Sequence, residues 1–74
     1  MAKKWEIHNE IRLLRFLSNE MTQQELADKV GVTRQTILAI ENRKYAPSLE
    51  LAYAIADVFE KPLEEVFIRK EAEK

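Results

Sequence analysis

Chemistry that needs a reactive side chain finds little to start from in this sequence. The 74 residues contain no cysteine and one histidine, His8. That removes thiolate nucleophiles, disulfides and cysteine-based zinc sites, and it leaves His8 without companions for acid–base or metal chemistry. The adjacent carboxylates Glu64 and Glu65 would point about 100° apart on a helix, so they do not converge as a catalytic pair. No grouping of nucleophile, base and orienting residue is present, and the expectation is a chain without catalytic residues, metal ligands or cofactor. The chemistry that is present is hydrogen bonding and charge. Arg34 and Gln35 stand side by side, one a planar fork of donors and the other a carboxamide with both donor and acceptor. From Thr33 to Lys44 the bases Arg34, Arg43 and Lys44 face a single acid, Glu41, for a net charge of +2. From Leu49 to Phe67 five acids, Glu50, Asp57, Glu60, Glu64 and Glu65, face only Lys61, for a net charge of −4. The total of −1 hides this polarity. One stretch suits a phosphate-bearing partner and the other suits facing away from it.

Positioning those groups falls to short helices. With 46% apolar and 34% charged residues the chain reads as one small globular domain over residues 1–74. No apolar run approaches the roughly 18 residues of a membrane span and no signal-peptide core follows Lys3 and Lys4, so the expected location is cytoplasmic. Apolar residues recur with a helical period, which predicts an all-α fold of five helices. Asn9 is the expected N-cap of a first helix to about Ser18, with Ile11, Leu14 and Leu17 inward and Leu13 and Phe16 surplus. Thr22-Gln-Gln-Glu25 has the capping-box pattern and opens a second helix to about Val30. Gly31, the one glycine, is expected to end it in a left-handed conformation. Thr33 then caps a third helix from Arg34 to about Asn42. Ser48 caps a fourth from Leu49 to Phe59, and Pro62 opens a fifth from Leu63 to about Phe67. Trp5 and Ile7 alternate with Glu6 and His8 over too few residues to separate strand from helix. Residues 1–8 are read as an arm, 9–68 as the helical core and 69–74 as a frayed charged tail.

Counted from Gln23, the residues Leu26, Ala27, Val30, Gly31, Val32, Ile37 and Ile40 make a coherent mechanical set. Ala27 is small where two helices cross, Gly31 permits a three-residue turn, and Val32, Ile37 and Ile40 pin the third helix. This is a helix-turn-helix pattern at about residues 23–42. The blocks Thr22-Gln-Gln-Glu-Leu-Ala27, Gly31-Val-Thr-Arg-Gln-Thr36, Ile40-Glu-Asn42 and Pro47-Ser-Leu-Glu-Leu-Ala52 resemble the lambda-repressor/Cro-like (xenobiotic-response-element) family of DNA-binding domains. The likeness runs from about Ile11 to Phe67. It implies a compact five-helix domain whose third helix lies in the major groove of double-stranded DNA. It also implies a sequence-specific transcriptional regulator, working as a homodimeric repressor on a palindromic operator and joining the nucleoid when bound.

With Ile37 and Ile40 inward, helical geometry turns Gln35 and Asn42 directly outward, with Leu38 and Ala39 to either side and Arg34 at the border. Arg34 can then offer a fork to guanine and Gln35 a bidentate pair to adenine, while Leu38 or Ala39 meets a thymine methyl. The resemblance assigns phosphate contacts to Gln23, which also braces the third helix, and to Asn42, Arg43 and Lys44 at its end. Thr33 joins this set, as does Thr36, for which packing against the second helix is an equal alternative. Glu41 reads as a structural polar contact. Three features depart from the family pattern. Arg43 stands where many members have a helix-ending glycine, Glu60-Lys61 replaces a glycine-containing turn, and the segment from Ile11 to Thr22 is one residue longer. Val66, Phe67, Ile68, Leu13 and Phe16 exceed what their helices bury alone, which leaves core packing and a two-fold contact both open. The family also includes antitoxins, so an alternative is an antitoxin whose acidic Glu60–Glu65 region docks a basic toxin while the chain also binds its own operator.

Overall fold

The computed structural model describes residues 4–72, in the order β1 (Trp5–Asn9), α1 (Ile11–Leu17), α2 (Gln23–Val30), α3 (Arg34–Glu41), α4 (Leu49–Val58), α5 (Leu63–Val66) and β2 (Phe67–Glu71). The expected five helices are there, but the fold is not all-α. β1 and β2 form a two-stranded antiparallel sheet that pairs Trp5 with Glu71, Ile7 with Arg69 and Asn9 with Phe67. Residues 5–8 of the expected arm and 69–71 of the expected frayed tail are therefore paired backbone. The ladder is closed at one end by the Glu10 amide donating to the Val66 carbonyl at 2.9 Å, and beyond the other end by the Ala72 amide donating to the Lys4 carbonyl at 2.9 Å. Each strand satisfies the other's backbone groups, which neither could do alone. Arg69 also lies over the Trp5 ring, 4.3 Å from its centroid, a cation–π contact across the strands. Residues 1–3 of the expected arm and 73–74 of the tail lie outside the described residues.

Local signals set the helix starts. Thr22 Oγ1 accepts from the Glu25 amide at 3.0 Å, and Glu25 Oε1 accepts from the Thr22 amide at 2.8 Å, completing the capping box. Thr33 and Ser48 cap α3 and α4 in the same manner, accepting from Thr36 and Leu51. Gly31 ends α2 with φ +78, as its lack of a Cβ permits. Asn9 is not the N-cap of α1: it closes β1, Glu10 takes the cap position, and the Asn9 Oδ1 accepts from the Ile11 amide at 3.3 Å.

The core is built from Ile11 of α1, Leu26 and Ala27 of α2, Ile37 and Ile40 of α3, Ile55 and Ala56 of α4, with Phe59 and Val66 beyond. Leu17, expected inward, is 68% exposed. The stripe fails there because α1 stops at Leu17 and the chain turns through Asn19 and Glu20, both at positive φ, before Met21 bonds back to the Arg15 carbonyl. The fifth helix runs Leu63–Val66, close to its expected end, and Phe67 is already extended at φ −116 and ψ 117. Both glycine-replacement positions adopt the left-handed conformation, Arg43 at φ 61 and Glu60 at φ 55, each at a cost of about 1 kcal/mol.

Candidate nucleic-acid interface

The three-residue turn Gly31–Thr33 joins α2 to α3, and Ala27 of α2 is fully buried in the core that holds Ile37 and Ile40 of α3. A larger side chain there would hold the two helices apart. Because Ile37 and Ile40 are buried, the opposite side of α3 is solvent-facing. Arg34, Gln35, Leu38, Asn42, Arg43 and Lys44 are exposed, and Ala39 is half-buried beside them. Arg34 and Gln35 have no hydrogen-bond or ion-pair partner among the described residues. Leu38 is 38% exposed. The strip therefore presents a donor fork, a carboxamide and an aliphatic side chain together on a face the fold leaves open.

Thr33 and Thr36 sit at the start of this strip and are coupled. The Thr33 hydroxyl accepts from the Thr36 amide at 3.2 Å and lies 3.0 Å from the Thr36 hydroxyl. Thr36 is half-buried, so cap and packing share its hydroxyl with the surface. At the other end, the Lys44 amide bonds back to the Ala39 carbonyl at 2.9 Å and the Arg43 amide to the Ile40 carbonyl at 3.0 Å. This tight reversal carries Asn42, Arg43 and Lys44 off the helix on its exposed side.

The helix is braced from behind by a largely covered ion pair. Glu41 accepts from Arg15 Nε at 2.7 Å and Arg15 Nη2 at 3.1 Å, with side-chain exposures of only 8% and 15%. Arg15 Nη1 also donates to the Met21 carbonyl at 2.8 Å, and Gln23 Nε2 donates to Glu41 Oε1 at 3.3 Å. The expected bracing by Gln23 is thus exerted through Glu41, whose role is the structural polar contact expected of it. Two side chains that sequence reasoning did not place here complete the arrangement. Arg15 follows buried Ile11 by four residues, so it shares the inward face, and that spacing was the available signal. Asn9 donates from Nδ2 to the Ile40 carbonyl at 3.0 Å, a contact with no local signature. Arg43 Nη2 additionally lies 3.4 Å from Glu6 Oε1 on β1, and Glu6 is 3.2 Å from His8 Nε2. All three side chains are at least partly solvated, so these pairs contribute little to stability.

Among the described residues no group of three His, Cys, Asp or Glu side chains is placed to hold a metal ion, and no helix is long and apolar enough to cross a membrane. The arrangement suits recognition of an extended, polyanionic surface by hydrogen bonding. The fork of Arg34 and the carboxamide of Gln35 stand at the start of α3, Leu38 one turn on, and the cations Arg43 and Lys44 just past its end.

Comparison with known proteins agrees with this geometry. Residues 11–66 match the family described as helix-turn-helix. An uncharacterized HTH-type transcriptional regulator of Methanocaldococcus jannaschii is 49% identical over 65 residues, covering 88% of this chain and 97% of that protein. One from Archaeoglobus fulgidus is 57% identical over 53 residues, covering 72% and 75% of the two chains. The crystal structure of the transcriptional regulator VanUg superposes with a TM-score of 0.70 over 97% of this chain and 93% of its own, at 15% identity, which is a likeness of fold.

Proposed function

This chain belongs to the helix-turn-helix family, in the lambda-repressor-like branch that its four sequence blocks resemble, and from that premise we propose that it is a non-catalytic transcriptional regulator that reads double-stranded DNA with α3. The observation that carries the reading is the pair Arg34 and Gln35, whose side chains have no partner among the described residues, on the exposed face of a helix braced from behind by Arg15, Glu41 and Gln23. A fork and a carboxamide carried on a braced helix can discriminate guanine and adenine edges in a major groove. Leu38 and Ala39 supply the apolar contact to thymine methyl groups. Gln23, Thr33, Thr36, Asn42, Arg43 and Lys44 take phosphates, fixing register and contributing most of the salt dependence.

The finer reading is a homodimeric repressor on a palindrome. An eight-residue helix is roughly 12 Å long and reads only a few base pairs. A second copy one helical turn away, about 34 Å, doubles the footprint and makes the site specific. Repression would follow sterically from two such helices occupying successive major grooves. The acidic residues of α4 and α5, Glu50, Asp57, Glu64 and Glu65, are all exposed and would face away from the phosphates.

Selection of bound fragments from a random double-stranded library tests this reading. The expected product is an enriched palindrome with half-sites one helical turn apart, bound by a species that light scattering measures at twice the chain mass. Enrichment of no sequence, with equal affinity for all DNA, would remove base reading by α3.

A further inference from the structure

The sheet, which local sequence pattern does not encode, is tied to the end of α3 from β1, and the shorter of the ties is a side-chain amide. Asn9 is the last residue of β1 and is paired in register with Phe67, the first residue of β2. Its Oδ1 accepts from the Ile11 amide at 3.3 Å while its Nδ2 donates to the Ile40 carbonyl at 3.0 Å. The same Ile40 carbonyl accepts from the Arg43 amide at 3.0 Å. Both acceptor positions of this oxygen are therefore in use, one for the reversal that puts Arg43 at φ 61 and one for the strand. Glu6, three residues back on β1, makes the second link to the same reversal through Arg43 Nη2.

Most helix C-termini leave their last carbonyls to water or to a following glycine turn. Here the turn has no glycine, its left-handed residue is an arginine, and a carboxamide from the opposite end of the chain takes its place as the stabilising partner. Both bonds need a side chain that carries an acceptor and a donor at this reach. Aspartate has no donor for the carbonyl, serine is too short to span both partners, and alanine makes neither bond.

We propose that Asn9 is a positioning residue for DNA binding: by holding the Ile40 carbonyl it lets the β1–β2 sheet set the direction in which Asn42, Arg43 and Lys44 leave α3 toward the phosphates. The proposal rests on the DNA-reading function argued above. It makes the sheet a working part of the interface. Any ligand or partner that engages the sheet could then alter DNA affinity without touching α3.

The test compares wild type with Asn9→Ser, which keeps an acceptor for the Ile11 amide but cannot reach Ile40, and with Asn9→Ala. Binding to the selected operator and to random duplex is measured by fluorescence anisotropy across a salt series, well below the melting temperature of each variant. The expected result is a threefold to tenfold loss on both DNAs, the size of one hydrogen bond, with a shallower log–log salt slope and an unchanged sequence preference. A fold-stabilising role alone would lower the melting temperature and leave the slope as in wild type. In an Arg43→Ala background, Asn9→Ser should cost less than it does alone, because both act on the same contacts. An unchanged slope in both Asn9 variants, or full additivity with Arg43→Ala, overturns the positioning role while leaving DNA reading intact. Wild type without salt-dependent DNA binding overturns the functional reading itself.

Discussion

Arg15 Nε lies 2.7 Å from Glu41 Oε2, joining α1 to the last residue of α3 across a side-chain pair that is 15% and 8% exposed. Neither residue faces the proposed reading surface, yet the pair decides where that surface stands. Burying two charges is costly unless they are matched and hydrogen-bonded, and here Met21 and Gln23 complete the set. Arg15→Ala would leave the largely covered Glu41 carboxylate with only Gln23 beside it. The expected loss is about 3 kcal/mol in urea unfolding, a large share of the stability of a chain this small. Arg15→Met with Glu41→Leu should recover most of it, whereas equal losses for the single and double variants would show that packing, not charge, holds the two helices.

Gln35→Ala should weaken operator binding by about 1–3 kcal/mol and leave random-duplex binding nearly unchanged. Gln35 is exposed, and its side chain has no partner among the described residues, so stability should not move. Fluorescence anisotropy on both DNAs checks this, and parallel losses on the two would assign Gln35 to the backbone instead of the bases.

Arg43 carries two opposed effects that substitution can separate. Its φ of 61 costs about 1 kcal/mol that glycine would not bear. Arg43→Gly is therefore expected to raise the unfolding free energy by about that amount, while Arg43→Ala leaves it nearly unchanged or slightly lower. Both variants should flatten the log–log salt slope by about one unit. A slope equal to that of wild type would take Arg43 off the phosphate-contacting set.

Ala27 is fully buried where α2 meets α3. Ala27→Leu adds three carbons to a closed crossing and should destabilise the fold by about 1–3 kcal/mol. Because the displaced helix is α3, operator affinity should fall together with the melting temperature. A variant as stable as wild type would mean that the crossing can open without consequence.

The parts of this protein governed by neighbouring residues could be read from the chain alone. The capping box at Thr22–Glu25, the cap at Thr33, the left-handed Gly31 and the three-residue turn are each decided within a few residues, and the structure carries them where the sequence placed them. The outward strip of α3 follows from the same local period, because once Ile37 and Ile40 are inward the directions of Arg34, Gln35 and Leu38 are set. Tertiary structure decided the rest. β1 has only five residues of weak alternation, and it becomes a strand because Phe67–Glu71, from the far end of the chain, supplies its missing hydrogen bonds. The fifth helix stops at Val66 for the same reason. Arg15 with Glu41 and Asn9 with the Ile40 carbonyl are likewise contacts between residues distant in sequence, and no local periodicity encodes them. Short-range capping and helical geometry fixed what α3 displays. Long-range pairing, which exists only once the chain has closed on itself, fixed how that display is held.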